Sequence, residues 1–215
     1  MAQENLRRDR YHHGDLANAL TGAATDLARQ GGPEAVVLRE AARQVGVSAT
    51  AAYRHFAGHG DLIQEVKRRC QAALAEHMRA EVDASPPEAD PRDEAVRRLR
   101  ALGQGYIRFA MAEPGLFRTA FCHAETPQEK TFDMIESPAF AMLTDVLDEL
   151  TSLGLIAPVD RPYTEMVAWS SAHGLAALLV DGPLGWLPEE LRDAAVKRSL
   201  DATVAGICTG RPAST

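Results

Sequence analysis

Cysteine is scarce in this chain of 215 residues: only Cys70, Cys122 and Cys208 occur, far apart and odd in number. That excludes a disulfide framework and points to reduced thiols in a cytoplasmic protein. No apolar run approaches the roughly eighteen residues needed to cross a bilayer, so no membrane span is expected. The opening Met1-Ala2-Gln3-Glu4 has no apolar stretch behind its basic residues, unlike a secretory signal. Sustained period-two alternation is missing too, which leaves β-structure without a candidate segment. Internal repeats and low-complexity stretches are likewise lacking.

What is present is helix, punctuated by proline and glycine. Leu16, Leu20, Ala23, Ala24 and Leu27 lay an apolar stripe along Gly14–Gln30, and Gly31-Gly32-Pro33 stops it. A short helix is expected from Val37 to Val45, a break at Gly46, and a third helix from Ser48 to Phe56. A long amphipathic helix follows from an Asp61 N-cap to Val82, ended by the polar, proline-rich 85–91. Further helices are expected over Arg92–Ala112, Pro114–Phe121, Pro138–Leu153, Pro162–Val180 and Pro188–Cys208, with 122–136 irregular. The last three carry a proline near their starts, where a missing N–H costs nothing. The fold class is therefore all-α with about nine helices. A three-helix domain over 1–60 precedes a larger helical domain over 61–215.

The net charge of −7 hides an asymmetry. Residues 1–70 carry 10 Lys and Arg against 8 Asp and Glu, whereas 71–215 carry 13 against 22. A basic end on an acidic body suits a chain with one nucleic-acid face.

The sharpest local signal lies between Leu38 and Phe56. Two short helices meet at Gly46, which can take the positive φ of a tight inter-helix turn. Small Ala42 allows close packing, while Val45, Val47, Ala52 and Phe56 supply apolar contacts. Ser48 is suited to cap the third helix, so Ser48, Ala49, Thr50 and Ala51 project without a core role. Thr50 can hydrogen-bond a base edge, and alanines can meet thymine methyls in a major groove. Tyr53, Arg54 and His55 lie a turn further on, with donors suited to phosphate. Arg7, Arg8 and Arg10 form a basic arm, and Arg39, Arg43 and Arg54 add attraction for DNA. A helical hairpin without DNA function is the bland alternative for such a Gly-broken pair.

Residues 11–66, from Tyr11-His12-His13-Gly14-Asp15-Leu16 through Tyr53-Arg54-His55-Phe56 to Asp61-Leu62, resemble the DNA-binding domain of the TetR family of regulators. Trp169-Ser-Ser-Ala-His173-Gly174 resembles the Trp-His-Gly segment of one class of TetR C-terminal domains. The resemblance implies an all-helical homodimer joined through the last two helices. It implies a palindromic double-stranded operator, with a small-molecule inducer that releases a repressor from it. It places Ser48, Ala49, Thr50, Tyr53, Arg54 and His55 at DNA, and Arg8 and Arg39 by their charge and His59 by its ring donor join them as candidate DNA contacts. Two positions depart from the pattern. Val37 stands where a capping Thr or Ser is usual, and His59 replaces a Lys.

Aromatic and sulfur-bearing residues concentrate in the second domain. Tyr106, Phe109, Phe117, Phe121, Phe140, Met166, Trp169 and His173 are the candidate ligand contacts, though such residues also simply fill cores. Trp169 and His173 share a helix face. The alternative for this pair is packing, with Gly174 admitting a neighbouring helix. No cofactor and no metal site is expected, because Cys122-His123 has no further ligand at metal spacing. A helical enzyme using His173 or His123 lacks any triad order or phosphate loop, and a regulator without a small-molecule ligand is the other alternative.

Overall fold

The computed structural model describes residues 2–122 and 136–208, with side chains from Leu16 onward. Among the described residues there are nine α-helices, two short 3-10 turns and no strand. The helices are α1 (Ala2–Gly31), α2 (Leu38–Val45), α3 (Ala49–Ala52), α4 (His59–Ala84), α5 (Pro91–Ala112), α6 (Pro114–Ala120), α7 (Pro138–Ser152), α8 (Thr164–Val180) and α9 (Glu189–Ile207). The 3-10 turns are Pro33–Ala35, before α2, and Pro183–Trp186, between α8 and α9.

The all-helical expectation holds, and the boundaries differ where local chemistry decides. Helix α1 runs through Gly14 back to Ala2. Helix α4 opens at His59, two residues before the expected cap, and Asp61 acts from inside the first turn. Its carboxylate accepts the Ala57 N–H at 3.0 Å, satisfying a donor just outside the helix. Helix α8 starts at Thr164 rather than Pro162, because Tyr163 is left-handed (φ 64°) and cannot continue a helix backwards. The expected third helix of nine residues is only four residues long. After Ala52 the chain tightens, with Arg54 and His55 N–H groups donating to carbonyls three residues back.

The chain divides into two compact units, Met1–Gln71 with Glu113–Thr131, and Ala72–Ala112 with Phe132–Thr215. In the first, α1 packs on α2 and α6. Leu20, Ala24 and Ala28 are buried with Val36, Leu38, Ala41, Leu62, Val66 and Leu116. Helix α6 docks so closely that a Cβ at Gly115 would overlap the carbonyl oxygens of Ala28 and Arg29. Arg29 Nε also reaches the Glu113 carboxylate at 3.1 Å.

In the second unit α5 packs on α7, α8 and α9. Leu99, Leu102, Tyr106 and Phe109 of α5 are buried, as are Ala168, Ala172, Ala176 and Leu179 along α8. The alanines keep the helices close. At Gly103 a Cβ would lie 2.5 Å from Leu200 Cδ2, so α9 sits against bare backbone there. Arg98 with Glu149, Arg100 with Asp201, and Ser171 Oγ with Thr203 Oγ1 at 2.6 Å fix the helix registers. Part-exposed pairs of this kind add little stability each, so apolar burial carries the unit.

Candidate nucleic-acid interface and sensing core

The geometry of the α2–α3 pair follows from two residues. Gly46 is left-handed (φ 79°, ψ 27°), and Val47 N–H donates back to the Ala42 carbonyl at 3.0 Å, closing the end of α2. A Cβ at Gly46 would meet nothing within 4 Å, so conformation rather than space requires glycine there. Ser48 then caps α3, its Oγ accepting the Ala51 N–H at 3.2 Å. Leu38, Ala41, Ala42, Ala52 and Phe56 are buried and hold both helices to the unit.

The opposite face is solvent. Thr50, Tyr53 and Arg54 are exposed, Tyr53 to 46%, and Ser48, Arg39 and His59 are exposed as well. Ala49, Ala51 and His55 are half-buried, so these three stand further back than their neighbours. An exposed tyrosine and arginine with no core role can donate to phosphate, and the small Ser48–Ala51 turn keeps the backbone approachable. Val37 is the N-cap of α2 and makes no side-chain cap, leaving that helix start without the oxygen a Thr or Ser would supply. Arg8, with the rest of the basic arm, lies outside the residues whose side chains are described, as does His123.

Arg43 is paired within its own helix. Its guanidinium grips Glu40 in a fork, Nη2 to Oε1 at 2.6 Å and Nε to Oε2 at 2.9 Å. Glu40 holds it in competition with any phosphate, and its own carboxyl is held below the usual range by that Arg43 hydrogen bond. The i, i+3 spacing of the two was visible in the sequence.

The candidate ligand residues fall in both compact units. Phe117 and Phe121 belong to the first compact unit, where their rings meet edge-on at 5.3 Å. Tyr106, Phe109, Phe140, Met166, Trp169 and His173 belong to the second. Phe109 is fully buried and packs edge-on against His77, whereas Met166 is exposed. Three residues do converge. Tyr106 Oη lies 2.7 Å from His173 Nδ1 and accepts the Trp169 Nε1–H at 3.2 Å, and the Trp169 and His173 rings are 5.4 Å apart. Burial pushes the Tyr106 phenol up and the His173 imidazole down. The neutral ring thus favoured offers Nδ1 as acceptor for the Tyr106 proton.

Sequence reasoning missed two features. Lys67 and Gln71 are buried on α4, Gln71 donating to the Ala120 carbonyl at 3.4 Å. Trp186, between α8 and α9, is 92% exposed. Nothing in the sequence marks the first pair, while a tryptophan beside glycine and proline was a visible turn signal. Among the described residues no three His, Cys, Asp or Glu side chains gather as a metal site, and no helix is long and apolar enough to cross a membrane.

Two family models match. Residues 20–66 match "Bacterial regulatory proteins, tetR family", and residues 99–203 match "Tetracyclin repressor-like, C-terminal domain". No curated protein matches the chain. Among solved structures, a protein with unknown function from Rhodococcus sp. RHA1 is similar at 26% identity and a TM-score of 0.70, over 92% of this chain and 98% of that one. A TetR-family transcriptional regulator from Pectobacterium atrosepticum shares the fold at 18% identity and a TM-score of 0.61, over 94% and 98%. One from Marinobacter aquaeolei VT8 does so at 19% identity and a TM-score of 0.59, over 91% and 97%. The two family models together cover more than half the sequence, and both describe regulators rather than enzymes. With its capped helix-turn-helix and all-helical second unit, this chain belongs to the TetR family of bacterial DNA-binding transcriptional regulators.

Proposed function

We propose that the protein is a cytoplasmic homodimeric repressor that binds an approximately palindromic operator and leaves it when a small molecule enters the second unit. The observation that carries the DNA-reading part is the Ser48-capped α3, which presents Thr50, Tyr53 and Arg54 to solvent while Ala52 and Phe56 anchor it. In this reading Thr50 meets a base edge, and Tyr53, Arg54, Arg39 and His59 meet phosphates, with Arg8 added from the arm. Two heads related by a two-fold axis then meet half-sites about one helical turn or more apart.

The dimer reading draws on the distribution of apolar surface. Among the described residues, nine large apolar side chains are exposed, and seven of them fall between Val159 and Leu191. The other two, Val37 and Tyr53, belong to the helix-turn-helix, as the N-cap of α2 and the C-cap of α3. A concentration of that kind on α8, the 3-10 turn and α9 suits an interface.

For the inducer, the Tyr106–Trp169–His173 cluster supplies polar handles within an apolar surround, with Phe140 and Met166 on the same unit. The Trp-His-Gly likeness would then divide its labour, Trp169 and His173 facing inward to Tyr106 and Gly174 facing outward. A regulator that answers to no small molecule is the second reading.

Selection and sequencing of DNA bound by the purified protein tests the first part. An enriched two-fold-symmetric site, bound by the parent and lost in the Tyr53→Ala, Arg54→Ala variant, is the expected result. Equal binding by that variant overturns the docking. Metabolite screening by thermal shift separates the two readings, since a true inducer raises the melting temperature.

A further inference from the structure

Five arginines of the second unit are half-buried: Arg97, Arg98, Arg100, Arg161 and Arg192. Four of them close on a carboxylate. Arg97 holds Glu94, Arg98 holds Glu149, Arg100 holds Asp201, and Arg161 lies between Asp148 and Glu165. The fifth does not. Arg192 Nε is shut off from solvent and meets no hydrogen-bond partner, the one side-chain atom among the described residues of which both are true.

The vacancy does not come from a want of acids. Glu189 precedes Arg192 by three residues, the spacing and order at which Asp26–Arg29, Glu40–Arg43, Glu65–Arg68 and Glu94–Arg97 all pair. Arg192 is instead turned inward. The buried residues of α9 are Val196, Leu200, Val204 and Ile207, and Arg192 continues their row one turn towards the helix start. Its stem thus enters an aliphatic row. The planar edge formed by Nε and one Nη is the edge that takes a carboxylate side-on. A buried donor without an acceptor destabilises the free protein, and an acceptor that reaches it removes that penalty.

The position of Arg192 along the unit follows from two contacts. Arg100 pairs with Asp201, and three residues on a Cβ at Gly103 would meet Leu200, so α5 and α9 run antiparallel. Tyr106 lies about 4.5 Å beyond Gly103, and Arg192 about 12 Å beyond Leu200 in the same direction, at 1.5 Å per residue. The open arginine and the Tyr106–Trp169–His173 cluster are therefore about 7.5 Å apart along the helix axes.

Resting on the ligand reading above, we propose that Arg192 anchors the carboxylate of the inducer, an organic acid whose apolar body runs from there towards the Tyr106–Trp169–His173 cluster. An inorganic anion lacks the apolar body that Val196 and the aromatic cluster would cover. A cation is repelled by the guanidinium, and a neutral molecule offers it no charge-assisted bond. Because the Nε edge is closed in the free protein, the guanidinium swings to meet the acid, and the site completes itself on binding.

The test is calorimetry and thermal melting of the full chain with octanoate and octanamide, which share a tail long enough to span that distance. Octanoate should bind the parent at least tenfold tighter than octanamide and raise its melting temperature. Arg192→Met, which keeps the aliphatic stem, should bind the two within a factor of two. Arg192→Lys should fall between, since it keeps the charge without the fork. A second readout needs no ligand. Arg192→Met should melt no lower than the parent, because it removes a donor that has no acceptor. A drop of several degrees would show that Arg192 is bonded in solution, and overturns the proposal. So does octanamide that binds as tightly as octanoate, or a preference for the acid that survives in Arg192→Met. Both of these leave the ligand reading standing, because a small molecule still binds. A parent that binds neither compound also overturns the anchor, and the ligand reading is then decided by the metabolite screen alone.

Discussion

Tyr106 Oη and His173 Nδ1 lie 2.7 Å apart across α5 and α8, with the Trp169 indole N–H donating into the same phenol oxygen. Indole can only donate, so the phenol oxygen is the acceptor at one contact and supplies the proton at the other. Removing it leaves both heterocycles with a lost partner. Tyr106→Phe should therefore lower stability by about 1–3 kcal/mol, the net worth of two part-buried hydrogen bonds. Chemical denaturation of parent and variant checks this, and an unchanged midpoint would show that solvent replaces the phenol.

The same contact makes stability depend on pH. Burial lowers the His173 pKa below its value in the unfolded chain. The unfolded state therefore takes up a proton first as pH falls. The contribution is fully present above roughly pH 6.5, the unfolded value, and is lost as pH falls through the folded value. Melting temperatures measured from pH 8 to pH 5 should fall for the parent and fall less for His173→Gln. Parallel curves would assign the acid loss to other groups.

Ser48→Ala removes the oxygen that closes α3. A lost N-cap costs about 1 kcal/mol, and a helix of four residues has few other bonds to share the loss. Operator affinity should drop by more than the stability does, because α3 carries the residues proposed to face DNA. Titration of operator DNA beside a denaturation curve reads the two separately.

Glu40→Gln should strengthen DNA binding. The substitution removes an anion from the DNA-facing unit and releases the Arg43 fork. One more phosphate contact should steepen the dependence of log K on log salt by about 1. The gain should appear on non-operator DNA as well. A slope unchanged within error would mean that Arg43 lies beyond reach of the backbone.

Gly105→Ala tests the packing of the second unit. The new methyl would lie 2.7 Å from Met78 Cα and 3.0 Å from the His77 carbonyl oxygen, neither of which is a movable side-chain end. Overpacking of this kind costs about 1–3 kcal/mol. Gly174→Ala, where a Cβ meets nothing within 4 Å, should instead leave stability unchanged or raise it slightly, alanine being the better helix former.

Helix existence was legible because apolar positions recur at helical spacing and because Pro and Gly mark the ends. The turn at Gly46 and the cap at Ser48 were legible for the same local reason. What was not legible depends on distance in space. Phe117 and Phe121 read as members of one aromatic group with Tyr106, yet α6 packs with α1 and carries them into the other unit. Composition cannot show that division. Met166 read as a candidate contact and lies exposed, since position on a helix face depends on which neighbours cover it. The brevity of α3 also escaped the sequence, because Tyr53-Arg54-His55 suits a helix as well as the tighter turn it forms.

The docking of α6 on α1 has a consequence for engineering. Gly115 presses bare backbone onto the carbonyls of Ala28 and Arg29, although some forty residues of the other unit intervene in sequence. The DNA-reading head is therefore a discontinuous module. A chimera that transplants only its N-terminal sixty or seventy residues onto a relative's body would import one half of a fitted joint. The graft must carry Glu113–Ala120 as well, or find its counterpart already cut to the same shape.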